Sequence, residues 1–163
     1  TGAKMKFYTA DLCDKYPNDV QVLEPRFTSY GGSKKMMGQI VTIKLPGHNK
    51  TLAEFLKTTQ GEGKIVVVDV DAQYTAVVGD NLMKFASDNK FEGIIVNGYV
   101  RDTVTTKEFD IGLIAKGTCP RKYIPVQDGK INVPLVIDGI EINSGDYVYV
   151  DPDGIVICKE KLV

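Results

Sequence analysis

At 163 residues, with 43% hydrophobic and 25% charged residues, the chain has the composition of a single soluble globular domain, long enough to bury roughly two thirds of its unfolded surface. Twenty basic against 21 acidic residues leave a formal net charge of -1, which gives no electrostatic footprint for nucleic acid or an anionic membrane, and no apolar run is long enough to cross a bilayer. Three widely spaced cysteines, Cys13, Cys119 and Cys158, exclude a disulfide framework and a Cys-x-x-Cys zinc site, and read as reduced thiols of a cytoplasmic protein.

In chain order, Thr1-Gly2-Ala3-Lys4 ahead of Met5 reads as an expression remnant, leaving one domain over residues 5–163. Residues 9–16 predict a short helix with Thr9 as its cap and Pro17 ending it. After a glycine-rich turn at Gly31-Gly32-Ser33, residues 38–45 alternate apolar and polar as a half-buried strand does. Pro46-Gly47-His48-Asn49 is a turn. Thr51-Leu52-Ala53-Glu54 fits a capping box, followed by a buried stripe of Leu52, Phe55 and Leu56 and a stop at Gly61-Glu62-Gly63. Ile65-Val66-Val67-Val68-Asp69 predicts a strand covered on both faces.

The centre of the chain is a turn, a helix, a strand and an Arg-Asp pair. Gly79 permits a close turn, Asp80 or Asn81 caps a helix, and Leu82, Phe85 and Ala86 share one helical face. Gly93-Ile94-Ile95-Val96 is the next buried strand, and Arg101-Asp102 follow shortly after it. Both chain reversals reach the same sheet edge, so the free N–H groups of Asn81 and Leu82 are expected to face the side chains of Arg101 and Asp102. Amides, a guanidinium and a carboxylate together suit a small carboxylic acid and a metal. Beyond residue 110 the pattern changes to short strands, at 111–115, 133–137, 140–142, 147–150 and 154–158. Asp-Gly and Ser-Gly-Asp turns separate them.

Other chemistries have little support. The single histidine, His48, lies in a turn without triad spacing and reads as an exposed loop residue. No Gly-x-Gly-x-x-Gly follows a strand, and there is no P-loop. Arg101-Asp102 has a bland alternative as a solvated surface pair. Asp69 and Asp71, at the end of their strand, are further candidate acids, since ligands gather beyond strand carboxyl ends in open α/β sheets.

Taken in order, Asp11-Leu12-Cys13-Asp14, Leu23-Glu24-Pro25, Gly38-Gln39-Ile40-Val41-Thr42, Val66-Val67-Val68-Asp69, Gly79-Asp80-Asn81-Leu82, Arg101-Asp102, Asp110-Ile111-Gly112 and Ser144-Gly145-Asp146 carry a resemblance. The sequence resembles the regulator of ribonuclease activity A and the related class II 4-hydroxy-4-methyl-2-oxoglutarate aldolases. The resemblance implies a compact α/β/β layered fold of the swivelling-domain kind, assembled as a homotrimer with sites between subunits. It implies either of two roles. One is a keto-acid lyase using Mg²⁺ or Mn²⁺, a 4-hydroxy-4-methyl-2-oxoglutarate aldolase or oxaloacetate decarboxylase that releases pyruvate. The other is a non-catalytic regulator that binds an mRNA-degrading endoribonuclease, with a ribonuclease or RNA helicase as partner. In the aldolase reading Arg101 holds the substrate, Asp102 binds the metal, and Gly79, Asp80, Asn81 and Leu82 present amides to a substrate carboxylate. Two positions depart from the aldolase pattern: Thr105 stands where an acid is usual, and Val70-Asp71-Ala72 replaces a run of glycines.

Overall fold

A computed structural model describes residues 6–70 and 74–163. The elements run α1 (Thr9–Lys15), β1 (Val20–Val22), β2 (Thr28–Ser29), β3 (Met36–Leu45), α2 (Lys50–Thr58), β4 (Lys64–Val70), β5 (Ala76–Val78), α3 (Asp80–Asp88), β6 (Gly93–Val100), α4 (Thr103–Thr106) and β7 (Gly112–Thr118). The later part is β throughout, with β8 (Lys130–Ile131), β9 (Leu135–Ile137), β10 (Ile140–Ile142), β11 (Tyr147–Asp151) and β12 (Gly154–Cys158).

β3, β4, β6 and β7 lie side by side and parallel, joined through the crossover helices α2 and α3. β11, β12 and β1 extend the sheet antiparallel beyond β3, and β2 closes the other edge against β7. The valine-rich sequence of β4 follows from this position, because a central strand must be apolar on both faces. Val66 and Val68 pack with Leu52, Leu56, Leu82 and Met83 of the helices. Ile65 and Val67 point the other way and pack with Leu135, Ile137, Ile142, Val148 and Val150. Each such fully buried aliphatic side chain contributes about 2 kcal/mol. The result is the expected α/β/β layering of helices, parallel sheet and a second β layer.

Three helix starts differ from expectation, and for one reason: the partners come from far away in sequence. Tyr8, not Thr9, holds the N-cap position of α1. The Thr9 N–H and hydroxyl instead donate to the Asp151 carboxylate at 2.7 and 2.6 Å. α2 begins at Lys50, with no side-chain cap from Asn49. Thr51 Oγ1 accepts the Gly129 N–H at 2.7 Å, so the Thr51–Glu54 box does not form. α3 has Gly79 at its N-cap, and Asp80 is its first residue.

β6 extends four residues past the predicted strand, because β5 pairs with its far end through a shifted register. β2, β5, β8 and the one-turn α4 carry no strong sequence signal. The expression-remnant reading of residues 1–4 and the candidate acid Asp71 lie outside the described residues.

Candidate active site

The carboxyl end of β6 delivers Arg101 and Asp102. The Arg101 N–H donates to the Val78 carbonyl at 2.9 Å, which carries β5 alongside, and the Cys119 N–H donates to the Val100 carbonyl at 3.0 Å. Arg101 Nη1 donates to the Pro120 carbonyl at 3.3 Å. The half-buried guanidinium is thus steadied from one side, with further donors left over.

Asp102 sits in the left-handed region, at φ 59° and ψ 35°. Asp is among the few non-glycine types that tolerate this conformation, at a cost of about 1 kcal/mol. The kink divides its work. Its carbonyl accepts the N–H groups of Thr105 and Thr106 at 2.8 and 2.9 Å, starting α4. Its exposed side chain turns back toward α3, where Oδ2 accepts the Asp80 N–H at 3.0 Å. The amide that meets Asp102 is therefore Asp80's, rather than that of Asn81 or Leu82. Asn81 and Leu82 are the next two residues of the helix, where N–H groups have no intrahelical acceptor.

Gly79 is required here by proximity. Its backbone is extended, but a Cβ at this position would collide with Asp102 Oδ2 and crowd Arg101 Cγ. Gly79, Asp80, Asn81, Leu82, Arg101 and Asp102 all line one cavity of about 340 Å³. That is within the roughly 300–1,000 Å³ range of small-molecule sites. All six residues singled out from the sequence thus come together.

Residues that the sequence did not assign to the site also line it: His48, Lys122 and Tyr123. His48 is half-buried and ordered, with Nδ1 accepting the Lys50 N–H at 3.0 Å, so the exposed-loop reading is corrected. The contact that brings it in is Asn49 Nδ2 donating to the Val77 carbonyl at 2.8 Å, which folds the turn over β5. Only the Pro-Gly-His-Asn turn beside the capping region hinted at this.

Asp69 is not a wall of the cavity. It is 7% exposed and takes Lys44 Nζ and Asn97 Nδ2 at 2.8 Å each. Strand alternation explains the placement, since Val68 and Val70 face the helices and Asp69 the opposite layer.

No group of three or more His, Cys, Asp or Glu side chains among the described residues converges as a closed metal cage. A hard cation of the Mg²⁺ type needs no such cage, because it keeps several waters and takes one or two carboxylates. Asp102 fits that demand. One oxygen is committed to the Asp80 amide, which orients the carboxylate, and the other has no hydrogen bond within the described structure.

Comparison with known proteins follows the same lines. The sequence matches the RraA-like family, described as Aldolase/RraA, over residues 9–157. It is 41% identical to a Bacillus cereus protein named "Putative 4-hydroxy-4-methyl-2-oxoglutarate aldolase", covering 94% of this chain and 97% of that one. Among solved structures, it is similar to the RNA-processing inhibitor RraA from Thermus thermophilis, with a TM-score of 0.91, 32% identity and coverage of 98% and 96%. It is equally similar in fold to a Geobacillus kaustophilus protein described as an S-adenosylmethionine:2-dimethylmenaquinone methyltransferase, with a TM-score of 0.91, 36% identity and coverage of 96% and 97%. With a family match across nearly its whole length, the α/β/β layering and the shared fold, this chain belongs to the RraA-like family.

Proposed function

We propose that the cavity at Arg101 and Asp102 is the active site of a divalent-metal-dependent keto-acid lyase. Its reaction is cleavage of 4-hydroxy-4-methyl-2-oxoglutarate, decarboxylation of oxaloacetate, or both, releasing pyruvate. The relatives' names point to three different activities, so the chemistry of the cavity must decide among them. The observation that carries the reading is the convergence of a helix start, a guanidinium and a partly free carboxylate on one small cavity.

The 2-oxo acid end of the substrate is bound by two kinds of group. The N–H groups at the start of α3 favour its carboxylate through their partial positive charge. Arg101 offers a planar fork that pairs with carboxylate or with the enolate oxygen that develops as the carbon–carbon bond breaks. Asp102 would hold Mg²⁺ or Mn²⁺. When bound, the ion supplies Lewis-acid polarisation of the ketone, worth several kcal/mol. The Asp80 amide keeps the Asp102 carboxylate pointed into the cavity. Thr105 is half-buried and donates its N–H to the Asp102 carbonyl, so this position supplies no acid.

The test is pyruvate release from both substrates with Mg²⁺ or Mn²⁺ and with chelator, beside Arg101→Ala and Asp102→Ala. Metal-dependent turnover lost in both variants is expected. No turnover above the metal-only background would overturn the reading. The alternative is a regulator that restrains an endoribonuclease by protein contact, with a ribonuclease or RNA helicase as partner. The fold match to the RNA-processing inhibitor supports it. It would take the lead if ribonuclease activity fell on adding the protein while keto acids went unused. Either role is read as that of a cytoplasmic homotrimer, a state that sedimentation against the 17.9 kDa protomer checks.

A further inference from the structure

Two polar side chains on the cavity have no part in the chemistry assigned to Arg101 and Asp102. His48 and Lys122 both line it, and they arrive from distant segments that meet at β5. The turn at 46–49 is fastened by Asn49 Nδ2 to the Val77 carbonyl. The segment around 121 is fastened by the Ala76 N–H donating to the Arg121 carbonyl at 2.7 Å, with Ala76 and Lys122 forming a parallel bridge. The two segments also touch each other, since a Cβ on Gly47 would fall 3.1 Å from the Tyr123 ring. The backbones carrying His48 and Lys122 are therefore fixed relative to β5 and to each other.

Each side chain offers a donor. With Nδ1 occupied by the Lys50 N–H, the neutral His48 ring carries its proton on Nε2, so Nε2–H is what it presents to a ligand. The Lys122 side chain is exposed and makes no hydrogen bond or ion pair with any described residue. It is an ammonium on the cavity without a protein partner.

The charges follow the same logic. Four charged side chains line the cavity: Asp80, Arg101, Asp102 and Lys122. They balance, so a divalent cation held at Asp102 leaves two positive charges in excess. That matches a dianion. Without Lys122 the excess would match a monoanion such as pyruvate.

We propose that Lys122 and the His48 Nε2–H form a second carboxylate subsite, through which the cavity selects dicarboxylic over monocarboxylic 2-oxo acids. The proposal rests on the lyase reading, in which Arg101 and the α3 amides take the 2-oxo acid end. Lys122 supplies the charge and His48 the direction. Neither touches the bond that breaks, so both are specificity-determining residues rather than catalytic ones.

The experiment is titration calorimetry with two unreactive probes, 2-oxoglutarate and pyruvate, in Mg²⁺ buffer. The parent protein is expected to bind 2-oxoglutarate about tenfold more tightly than pyruvate, the effect of one charge-assisted contact. Lys122→Met and His48→Leu each erase most of that preference, and Lys122→Arg restores it. Arg101→Ala weakens both ligands alike. If the parent binds pyruvate through Arg101 but shows no preference, or keeps its preference in Lys122→Met and His48→Leu, the subsite is overturned and the lyase reading stands. If the parent binds neither probe, both fall.

Discussion

The Asp80 N–H and Asp102 Oδ2 meet at 3.0 Å across 22 positions of sequence, joining the start of α3 to the end of β6. A helix start needs an acceptor for its first amides, and here the acceptor is the carboxylate proposed to hold the metal. Helix capping and site assembly are the same contact. Any change that moves one must disturb the other.

Gly79→Ala tests that coupling directly. The new methyl would occupy the position of Asp102 Oδ2, and Asp102 is the flexible partner, so the carboxylate swings away. Loss of the Asp80 contact costs about 1 kcal/mol of stability, as for other lost helix caps. Displacing a reacting group by an ångström costs about 100-fold in rate. Thermal melting should therefore change little while kcat/KM collapses. A variant with full turnover would separate the contact from the chemistry.

Arg101 and Asp102 make different demands, and conservative changes expose them. Arg101→Lys keeps the charge but loses the planar fork and the bond to the Pro120 carbonyl. A drop of roughly 10–100-fold in kcat/KM is expected, of the size of one lost charge-assisted bond. Asp102→Asn retains a side chain that tolerates φ 59°, so α4 should persist. Its loss should instead be in metal affinity, seen as a raised Mg²⁺ concentration for half-activation. Intact helix content with weakened metal response would assign the carboxylate's charge to the ion.

The parts of this fold legible in the sequence are those in which neighbours along the chain decide the outcome. β4 and β6 declare themselves because a strand covered on both faces is apolar throughout. Arg101 and Asp102 stand out because they follow one. The expected helix caps do not form because Thr9, Thr51 and Asp80 find their partners at Asp151, Gly129 and Asp102. Local patterns cannot encode such distant pairing. β5 is only three residues long and exists by pairing with the far end of β6. Without β5 in view, nothing brings the His48 turn or Lys122 to the site.

Asp151 gives a pH dependence with a definite sign. Burial works to raise its pKa. The Thr9 hydroxyl, the Thr9 amide and the amides of Asp153 and Gly154 outweigh burial, so the folded value lies below the ordinary 3.8. A depressed carboxylate adds stability that is fully present above the unfolded value and is lost as pH falls through the folded one. Thr9→Val removes the hydroxyl bond of 2.6 Å and should cost about 1–2 kcal/mol at pH 7. Near pH 3 the gap between parent and variant should narrow. Urea unfolding at both pH values measures it, and a constant gap would contradict the assignment.

Cys158 should be the inert thiol of the three. Burial, reinforced by the Asp146 carboxylate, pushes its pKa up to about 11, and the residue is only 4% exposed. The thiolate is the reactive form, so at pH 8 about one molecule in a thousand carries it, some hundredfold fewer than for a thiol at the ordinary 9.0. Cys13 is half-buried, and Cys119 is buried with its Sγ 3.3 Å from the Tyr74 carbonyl. Iodoacetamide at pH 8, followed by peptide mass mapping, should therefore label Cys13 first and leave Cys158 intact until the fold opens. Asp146→Asn should speed Cys158 labelling by removing a carboxylate that disfavours the thiolate. The same change weakens the Asp146 contacts to Lys159 and the Asn143 N–H, so labelling is compared at denaturant concentrations where both proteins remain folded. Equal rates for Cys158 in the two proteins would remove Asp146 as a cause and leave burial alone.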